Sequence, residues 1–525
     1  MTHSKLLETL SRPEFYPHRP ESVEVVQTHI SFIFLAGDVV YKVKKSVDFG
    51  FLDFTSLDKR KFHCDEEVRL NRRLAPDTYL DVAAVRESAD GRLSLEADGP
   101  IVEYAVRMKR LPQERMLKKL LASGDADPSV MERIAVRLAD FHRQAATGGE
   151  IDRIGDVETI RRNHEENFEQ TAAYAGVTVP ERQYRFIQAY SLRFIAERRG
   201  LFEKRVAEHK IRDCHGDLHM EHIVVADGIQ IFDCIEFNER FRFEDVAAEV
   251  AFLAMDLDYN GYPEYAERFV DAYIRESGDP EIRALLNFYK CYYAYVRGKV
   301  VSFRTNDRDI RAEDREEAVR IAARYFDLAC TCAARPEKPV LILAAGLMGT
   351  GKSVLARHLA PRLGAEVIRM DVLRKELLRL SPRARRFEDF GQGIYAEGIS
   401  EKTYEKAMEQ ADTILRRGKS AIIDASFKRR RDREKARAIA GQCLADFFVV
   451  ECACPEPVVR KRLEDRLADR TEASDGRWEI FAAQKEDFEK ISEGEGPSHL
   501  IADTSLPPET VALRVLARIR GLDIG

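Results

Sequence analysis

The chain has 525 residues, which at about 100–200 residues per domain implies more than one hydrophobic core. Its 84 Lys and Arg against 90 Asp and Glu leave a net charge of −6, which argues against a strongly basic nucleic-acid binder and against an acidic tail protein. A hydrophobic fraction of 45% beside 33% charged residues can fill large cores and solvate the surface, so global disorder is excluded.

The longest apolar run, residues 340–348, is far short of the roughly 18–20 residues that a helix needs to cross a bilayer. The first twenty residues lack the apolar core of a secretion signal, so no membrane partner and a cytoplasmic location are expected. The nine cysteines form no CxxC pair. The CxC pairs Cys330/Cys332 and Cys452/Cys454 read as buried thiols rather than a split metal site.

In chain order, residues 30–35 and 39–43 read as strands joined by the turn Ala36-Gly37-Asp38. A polar helix is expected over 59–74, and further strands over 83–109 around the Asp90-Gly91 turn. Helical periodicity covers 128–146 and 158–206; 212–237 reads as a loop and hairpin, and most of the rest to Cys332 as helix. Strands early and helices late predict an α+β layout. The stretch Ala333-Ala334-Arg335-Pro336-Glu337-Lys338-Pro339 reads as a linker, which gives domains at 1–335 and 336–525. Beyond it, expected strands at 340–345, 367–370, 420–424 and 446–451 alternate with helices, one of them near 400–417. That alternation predicts an α/β domain with a parallel sheet.

The second domain opens with Gly346-Leu347-Met348-Gly349-Thr350-Gly351-Lys352-Ser353, between an apolar strand and an amphipathic helix. The pattern G-x-x-x-x-G-K-[ST] in that setting predicts a phosphate-binding loop. Gly346, Gly349, Thr350 and Gly351 would turn backbone N–H groups toward phosphate oxygens, Lys352 would reach the outer phosphates, and Ser353 would hold Mg²⁺. Asp424 ends an expected strand, in the place of a carboxylate that supports the same ion. Asp371 ends another, where it would face an acceptor hydroxyl; each also reads as a helix cap. Arg462, Arg466 and Arg470 recur every fourth residue and share a helix face. They read either as a lid that closes on ATP, with Arg466 at the nucleotide, or as a solvated face paired with Glu464, Asp465 and Asp469. With Ile422-Ile423-Asp424-Ala425-Ser426, these features make 338–525 resemble the P-loop small-molecule kinases related to adenylate, gluconate, shikimate and zeta-toxin kinases.

In the first domain, Cys214-His215-Gly216-Asp217-Leu218-His219-Met220-Glu221-His222-Ile223 is followed by the turn Ala226-Asp227-Gly228 and by Ile229-Gln230-Ile231-Phe232-Asp233. A tight hairpin returns Asp233 beside Asp217, and two converging carboxylates suit a site that binds Mg²⁺ and takes a hydroxyl proton. By composition alone they also read as a loop cap and a turn residue. His219 and His142 read as loop and packing histidines, and residues 245–258 as apolar helix core.

The His-Gly-Asp pattern with its downstream Asp resembles the aminoglycoside phosphotransferase and choline kinase families, of protein-kinase-like fold, over about 25–330. The resemblance implies that Asp217 is the catalytic base and that Asp233 binds metal. It also implies a nucleotide-binding Lys on an early strand, Lys42 or Lys44, of which Lys42 is preferred. A helix Glu would pair with it, Glu66 or Glu67, of which Glu67 is preferred, and 103–111 would be the hinge that meets adenine. The family usually carries Asn, a ligand of Mg²⁺, where His222 stands, so His222 is a candidate metal ligand of different chemistry. The whole chain resembles bacterial proteins described as bifunctional aminoglycoside phosphotransferase and ATP-binding proteins. It implies a phosphotransferase with two ATP sites acting on a small-molecule hydroxyl. The alternatives are a nucleotide-binding regulator with a pseudokinase first domain, or a nucleic-acid 5′-end kinase suggested by Arg383, Arg385, Arg386 and the run 428–431.

Overall fold

The computed structural model describes residues 3–50, 52–307, 310–381, 391–468, 477–491 and 498–524; of 3 and 466–468 it describes the backbone. Packing divides the chain into two compact units, Met1–Glu166 with Ile195–Ala294, and Asn167–Phe194 with Tyr295–Gly525. Helix Ala312–Ala334, which precedes the linker, packs in the second unit: Arg362 donates to Asp327 at 2.6 Å, and Ala322, Phe326 and Cys330 are buried. The packing boundary therefore runs through helix Ile282–Phe303 and is drawn differently from the sequence boundary at 335/336.

The first unit carries a six-stranded antiparallel sheet of β1 (Val23–Gln27), β2 (Ser31–Ala36), β3 (Val39–Lys44), β4 (Tyr79–Glu87), β5 (Leu93–Ser94) and β6 (Ile101–Lys109), in the order β1-β2-β3-β6-β4-β5. β3 uses its two faces differently. Tyr41 and Val43 join a core with Phe32, Phe34, Val85 and Ala105. Val40 packs on the opposite side with Cys64 and Val68 of helix Leu57–Asn71 and with Val106. Side chains alternate across a strand, so Lys42 and Lys44 share the face of Val40 and meet that helix. Ser56 caps the helix by accepting the Lys59 N–H.

Short strands carry the remainder: β7 (Ile211–Asp213), β8 (Ile223–Val225), β9 (Ile229–Ile231) and β10 (Phe243–Asp245), with β7 against β10 and β8 against β9. Asp245 starts helix Val246–Tyr259 by accepting the Ala247 N–H at 2.8 Å, while Arg205 donates to both Asp245 oxygens at 2.6 Å. The cap and its buried cation fix where that helix begins.

The second unit is built on β11 (Val340–Ala345), β12 (Ala365–Arg369), β13 (Ser420–Asp424), β14 (Asp446–Ala453) and β15 (His499–Asp503), parallel throughout in the order β12-β13-β11-β14-β15. β11 is central and every one of its residues is buried, as an apolar run covered on both faces requires. Leu341, Leu343, Ile368 and Ile423 pack with Ala407 and Ala411 of helix Glu397–Arg416. The four expected strands of this part are present; β15 and, in the first unit, β1 were not expected from the sequence.

Candidate functional sites

In the first unit the chain leaves β7 through His215-Gly216-Asp217 and enters β8 after a single 3-10 turn, Met220–His222. Gly216 makes that path possible: its φ is +84°, and a Cβ there would lie 2.7 Å from the Phe241 carbonyl oxygen. The loop is held from below by helix Val246–Tyr259. Glu249 Oε1 accepts the N–H groups of His215 and Gly216 at 2.8 Å each, and Asp256 Oδ2 accepts the Met220 N–H at 2.9 Å. Glu249 Oε2 accepts from His142 Nε2 at 2.6 Å, so His142 Nδ1 in turn accepts from the Tyr273 hydroxyl at 2.6 Å. Burial works to raise the Glu249 carboxyl, but His142, His215 and the loop N–H groups bring it below the usual carboxylate value.

Residues 245–258 form buried helix core as expected, with one addition. Glu249 and Asp256 are buried acids that carry the loop. Their seven-residue spacing, two helical turns, was the available signal. His142 is buried as expected, with the added task of orienting Glu249.

The hairpin β8–β9 returns Asp233 beside the loop. The His222 ring lies between the two aspartates: its Nδ1 is 3.7 Å from Asp217 Oδ2 and its Nε2 is 3.7 Å from Asp233 Oδ2. His222 Nδ1 donates to the Asp217 carbonyl at 2.9 Å. Burial, then the neighbouring His219, pushes the His222 imidazole down to about 4, so it is neutral at physiological pH. His219 Nδ1 accepts the Glu221 N–H at 3.3 Å and its Nε2 faces Asp217 Oδ2 at 3.6 Å, a loop histidine as expected. Asp233 has φ +63°, rare for a non-glycine residue, and donates its N–H to the Tyr79 hydroxyl at 3.1 Å.

From the sheet, Lys42 Nζ reaches Asp233 Oδ1 at 2.6 Å and Glu67 Oε1 at 2.9 Å. Lys44 Nζ reaches Glu67 Oε2 at 2.7 Å and also pairs with Glu236. The structure thus gives both lysines to Glu67, and Lys42 alone to Asp233. Glu66 instead pairs with Arg69 at the surface. Burial opposes the charged form of Lys42, but Asp233, Glu67 and Glu236 together hold it well above its ordinary value. Burial likewise raises Asp233, and Lys42 overcomes it by charge and hydrogen bond, keeping the carboxylate ionised. The expected hinge at 103–111 begins in β6, where Glu103 accepts from Arg60 at 2.9 Å.

In the second unit, residues 346–351 connect β11 to helix Lys352–Leu363. Gly346 has φ +129°, and a Cβ there would meet the Cys452 carbonyl oxygen at 2.7 Å. Gly349 and Gly351 are also left-handed, and Gly351 is the helix cap residue. The Thr350 hydroxyl and Lys352 Nζ each donate to the Leu347 carbonyl at 2.8 Å, and the Thr504 hydroxyl donates to the Thr350 carbonyl at 2.6 Å. Asp424 lies at the end of β13, paired in register with Ala344, and accepts a hydrogen bond from Ser353. Burial raises its carboxyl above the usual value, against the pull of Lys352 and Ser353. The structure therefore joins Lys352, Ser353 and Asp424 at one end of the sheet.

Asp371 sits in the first turn of helix Met370–Leu377, past the end of β12, rather than as the cap, which is Arg369. Arg374 donates to it at 3.2 Å, and its charge raises Asp424, which puts the two carboxylates near each other. Arg462 is tied to the Thr504 carbonyl at 2.7 Å, a brace beside the phosphate loop. The side chain of Arg466, and Arg470, lie outside the described residues, as do Arg383, Arg385 and Arg386. The basic run 428–431 is compensated by Asp487, Glu489, Glu434 and Glu401.

Comparison with known proteins finds a family likeness in both parts of the chain. Residues 56–286 match the model of a phosphotransferase enzyme family, and 341–491 match the model of an AAA domain. Proteins named only as uncharacterized, from Mycobacterium tuberculosis and Mycobacterium bovis, are 30% identical over 468 residues, 89% of this chain and 91% of theirs. Among solved structures, a choline/ethanolamine kinase family protein from Mesorhizobium loti is 13% identical, covering 63% of this chain and 99% of that one, with a TM-score of 0.35. The APS kinase CysC of Mycobacterium tuberculosis is 19% identical, covering 35% and 98%, with a TM-score of 0.27. The two segments have the folds expected, an α+β protein-kinase-like phosphotransferase domain and an α/β P-loop kinase domain with a parallel sheet. Among the described residues no helix is long and apolar enough to cross a membrane.

Proposed function

The chain belongs to the family of these mycobacterial proteins, and we propose that it is an ATP-dependent phosphotransferase with two nucleotide sites, each passing the γ-phosphoryl group to a small-molecule hydroxyl. The observation that carries this reading is the meeting at Asp233 of Lys42 from the sheet and His222 from the loop, with Asp217 alongside. Phosphoryl transfer needs little covalent chemistry from a protein; it needs positioned charges and a base.

In the first unit Lys42, oriented by Glu67, holds phosphate oxygens. Asp217, placed by its loop, accepts the proton of the acceptor hydroxyl. His222 Nε2 and Asp233 Oδ2, 3.7 Å apart, are donors that fit a divalent ion, which would neutralise phosphate charge when bound. In the second unit the N–H groups of Gly346, Gly349, Thr350 and Gly351 cradle the phosphates and Lys352 reaches the outer ones. Ser353 and Asp424 are oxygen donors that fit Mg²⁺. Asp371, with Arg374 beside it, faces the acceptor. The setting is a cytoplasmic one, where ATP is abundant.

A regulatory reading, nucleotide binding without transfer in the first unit, draws on Lys42 sitting directly on Asp233. Equilibrium binding of ATP tests the two-site part. The intact chain should bind two per chain, and Lys42→Ala or Lys352→Ala one. A single site in the intact chain would overturn the proposal, and two sites with no transfer to any acceptor would favour the regulatory reading.

A further inference from the structure

We propose that the ion site of the first unit is built for a first-row transition dication with one nitrogen ligand, His222 Nε2 beside Asp233 Oδ2, in preference to Mg²⁺. This rests on reading the unit as a nucleotide site and names the ion that site takes.

The argument starts from one hydrogen bond. His222 Nδ1 lies 2.9 Å from the Asp217 carbonyl oxygen, and a carbonyl only accepts, so Nδ1 carries the proton. In the neutral ring Nε2 then presents a lone pair, and that lone pair faces Asp233 Oδ2 at 3.7 Å. Two acceptors look at each other with no proton between them. A dication bonded to each at about 2.0–2.2 Å spans that separation.

The surroundings hold these donors in place. The His222 ring packs against His219, with centroids 3.9 Å apart, and against Phe232 and His215. Asp233 Oδ1 is taken by Lys42, which leaves Oδ2 for the ion. His219 Nδ1 accepts the Glu221 N–H, so its proton is on Nε2, toward Asp217 Oδ2; His219 positions Asp217 rather than binding the ion.

Ligand chemistry then selects the metal. Mg²⁺ holds oxygen ligands and parts reluctantly with water, whereas imidazole is a borderline donor whose affinity climbs from Mn²⁺ through Co²⁺. The second unit offers Ser353 and Asp424, oxygen donors alone. The two sites of one chain therefore prefer different ions.

The test uses the full chain carrying Lys352→Ala and Ser353→Ala, which silences the second site. Mn²⁺ is added with a non-hydrolysable ATP analogue and followed by pulsed electron paramagnetic resonance. A directly bound imidazole should give nitrogen modulation, which shifts on ¹⁵N-histidine labelling, vanishes in His222→Asn and persists in His219→Asn. Displacing Mn²⁺ should take about tenfold more Mg²⁺ than in His222→Asn. Nucleotide-dependent Mn²⁺ binding without nitrogen modulation, or with modulation that survives His222→Asn, would overturn the inference and leave the phosphotransferase reading intact. No nucleotide-dependent ion binding in this chain would overturn both.

Discussion

Glu249 offers the most informative perturbation of the first unit. Its carboxylate is fully buried and accepts three hydrogen bonds, from the His215 and Gly216 N–H groups and from His142. Glu249→Ala strands three buried donors, each costing about 1–3 kcal/mol, so the loss should reach about 4 kcal/mol after partial relaxation. That is a large share of a typical stability of about 5–15 kcal/mol. Glu249→Gln is milder. Its carbonyl can still take both loop N–H groups, and His142 can reverse its tautomer to accept from the new amide. What it loses is charge assistance, about 1 kcal/mol for each loop bond. The assay is hydrogen exchange of residues 214–222 with thermal unfolding alongside. The His215 and Gly216 amides should lose protection in the order Ala more than Gln. Transfer by the first site should fall about 100-fold in Glu249→Ala and less in Glu249→Gln, because the freed loop displaces Asp217 from the acceptor. Unchanged exchange at His215 and Gly216 in either variant would refute the claim that Glu249 holds the loop.

The two strand lysines should separate by phenotype. Lys44→Met leaves Glu67 and Glu236 buried without their shared cation and should cost about 3–5 kcal/mol in denaturant unfolding. Lys42→Met keeps the Lys44–Glu67 pair and should mainly lower ATP affinity, measured by calorimetry. The first unit should also lose stability as pH falls from 6.5. Burial pushes His164 from its ordinary 6.5 down to about 3, so between those values the unfolded chain holds the extra proton and unfolding gains. His222, at about 4, adds to the same slope, and urea midpoints at pH 7 and pH 4.5 should flatten in His164→Gln. In the second unit Asp424→Asn should weaken metal-dependent ATP binding at least about tenfold while leaving the melting of the parallel sheet in place.

Much of this was legible in the chain because the informative residues are local. Gly346 through Ser353 declare a phosphate loop by spacing alone, and the strand before it is apolar at every position, as a central parallel strand is. Asp217 and Asp233 were paired by the turn between them. The edge strands were harder. β15 is short, with only Ala502 buried, and β1 has no fully buried residue, so neither has the apolar signature of a central strand. Lys42 and Lys44 share strand parity, and only the placement of Asp233 and Glu236 tells them apart. Glu249 and Asp256 were hidden by their company: a helix apolar on all sides reads as core, and its buried acids find partners far away in sequence. Asp371 was displaced by a small shift, since β12 stops at Arg369 and the helix begins at Met370.

The central claim is that two sites transfer phosphate. It is tested most directly by incubating the chain with γ-labelled ATP, divalent ion and a pooled metabolite extract, with Asp217→Ala, Lys352→Ala and the double variant in parallel. The account predicts labelled products from the intact chain that divide between the single variants, each losing a different one, and none from the double variant. Absence of any labelled product from the intact chain, with both nucleotides bound, would contradict it.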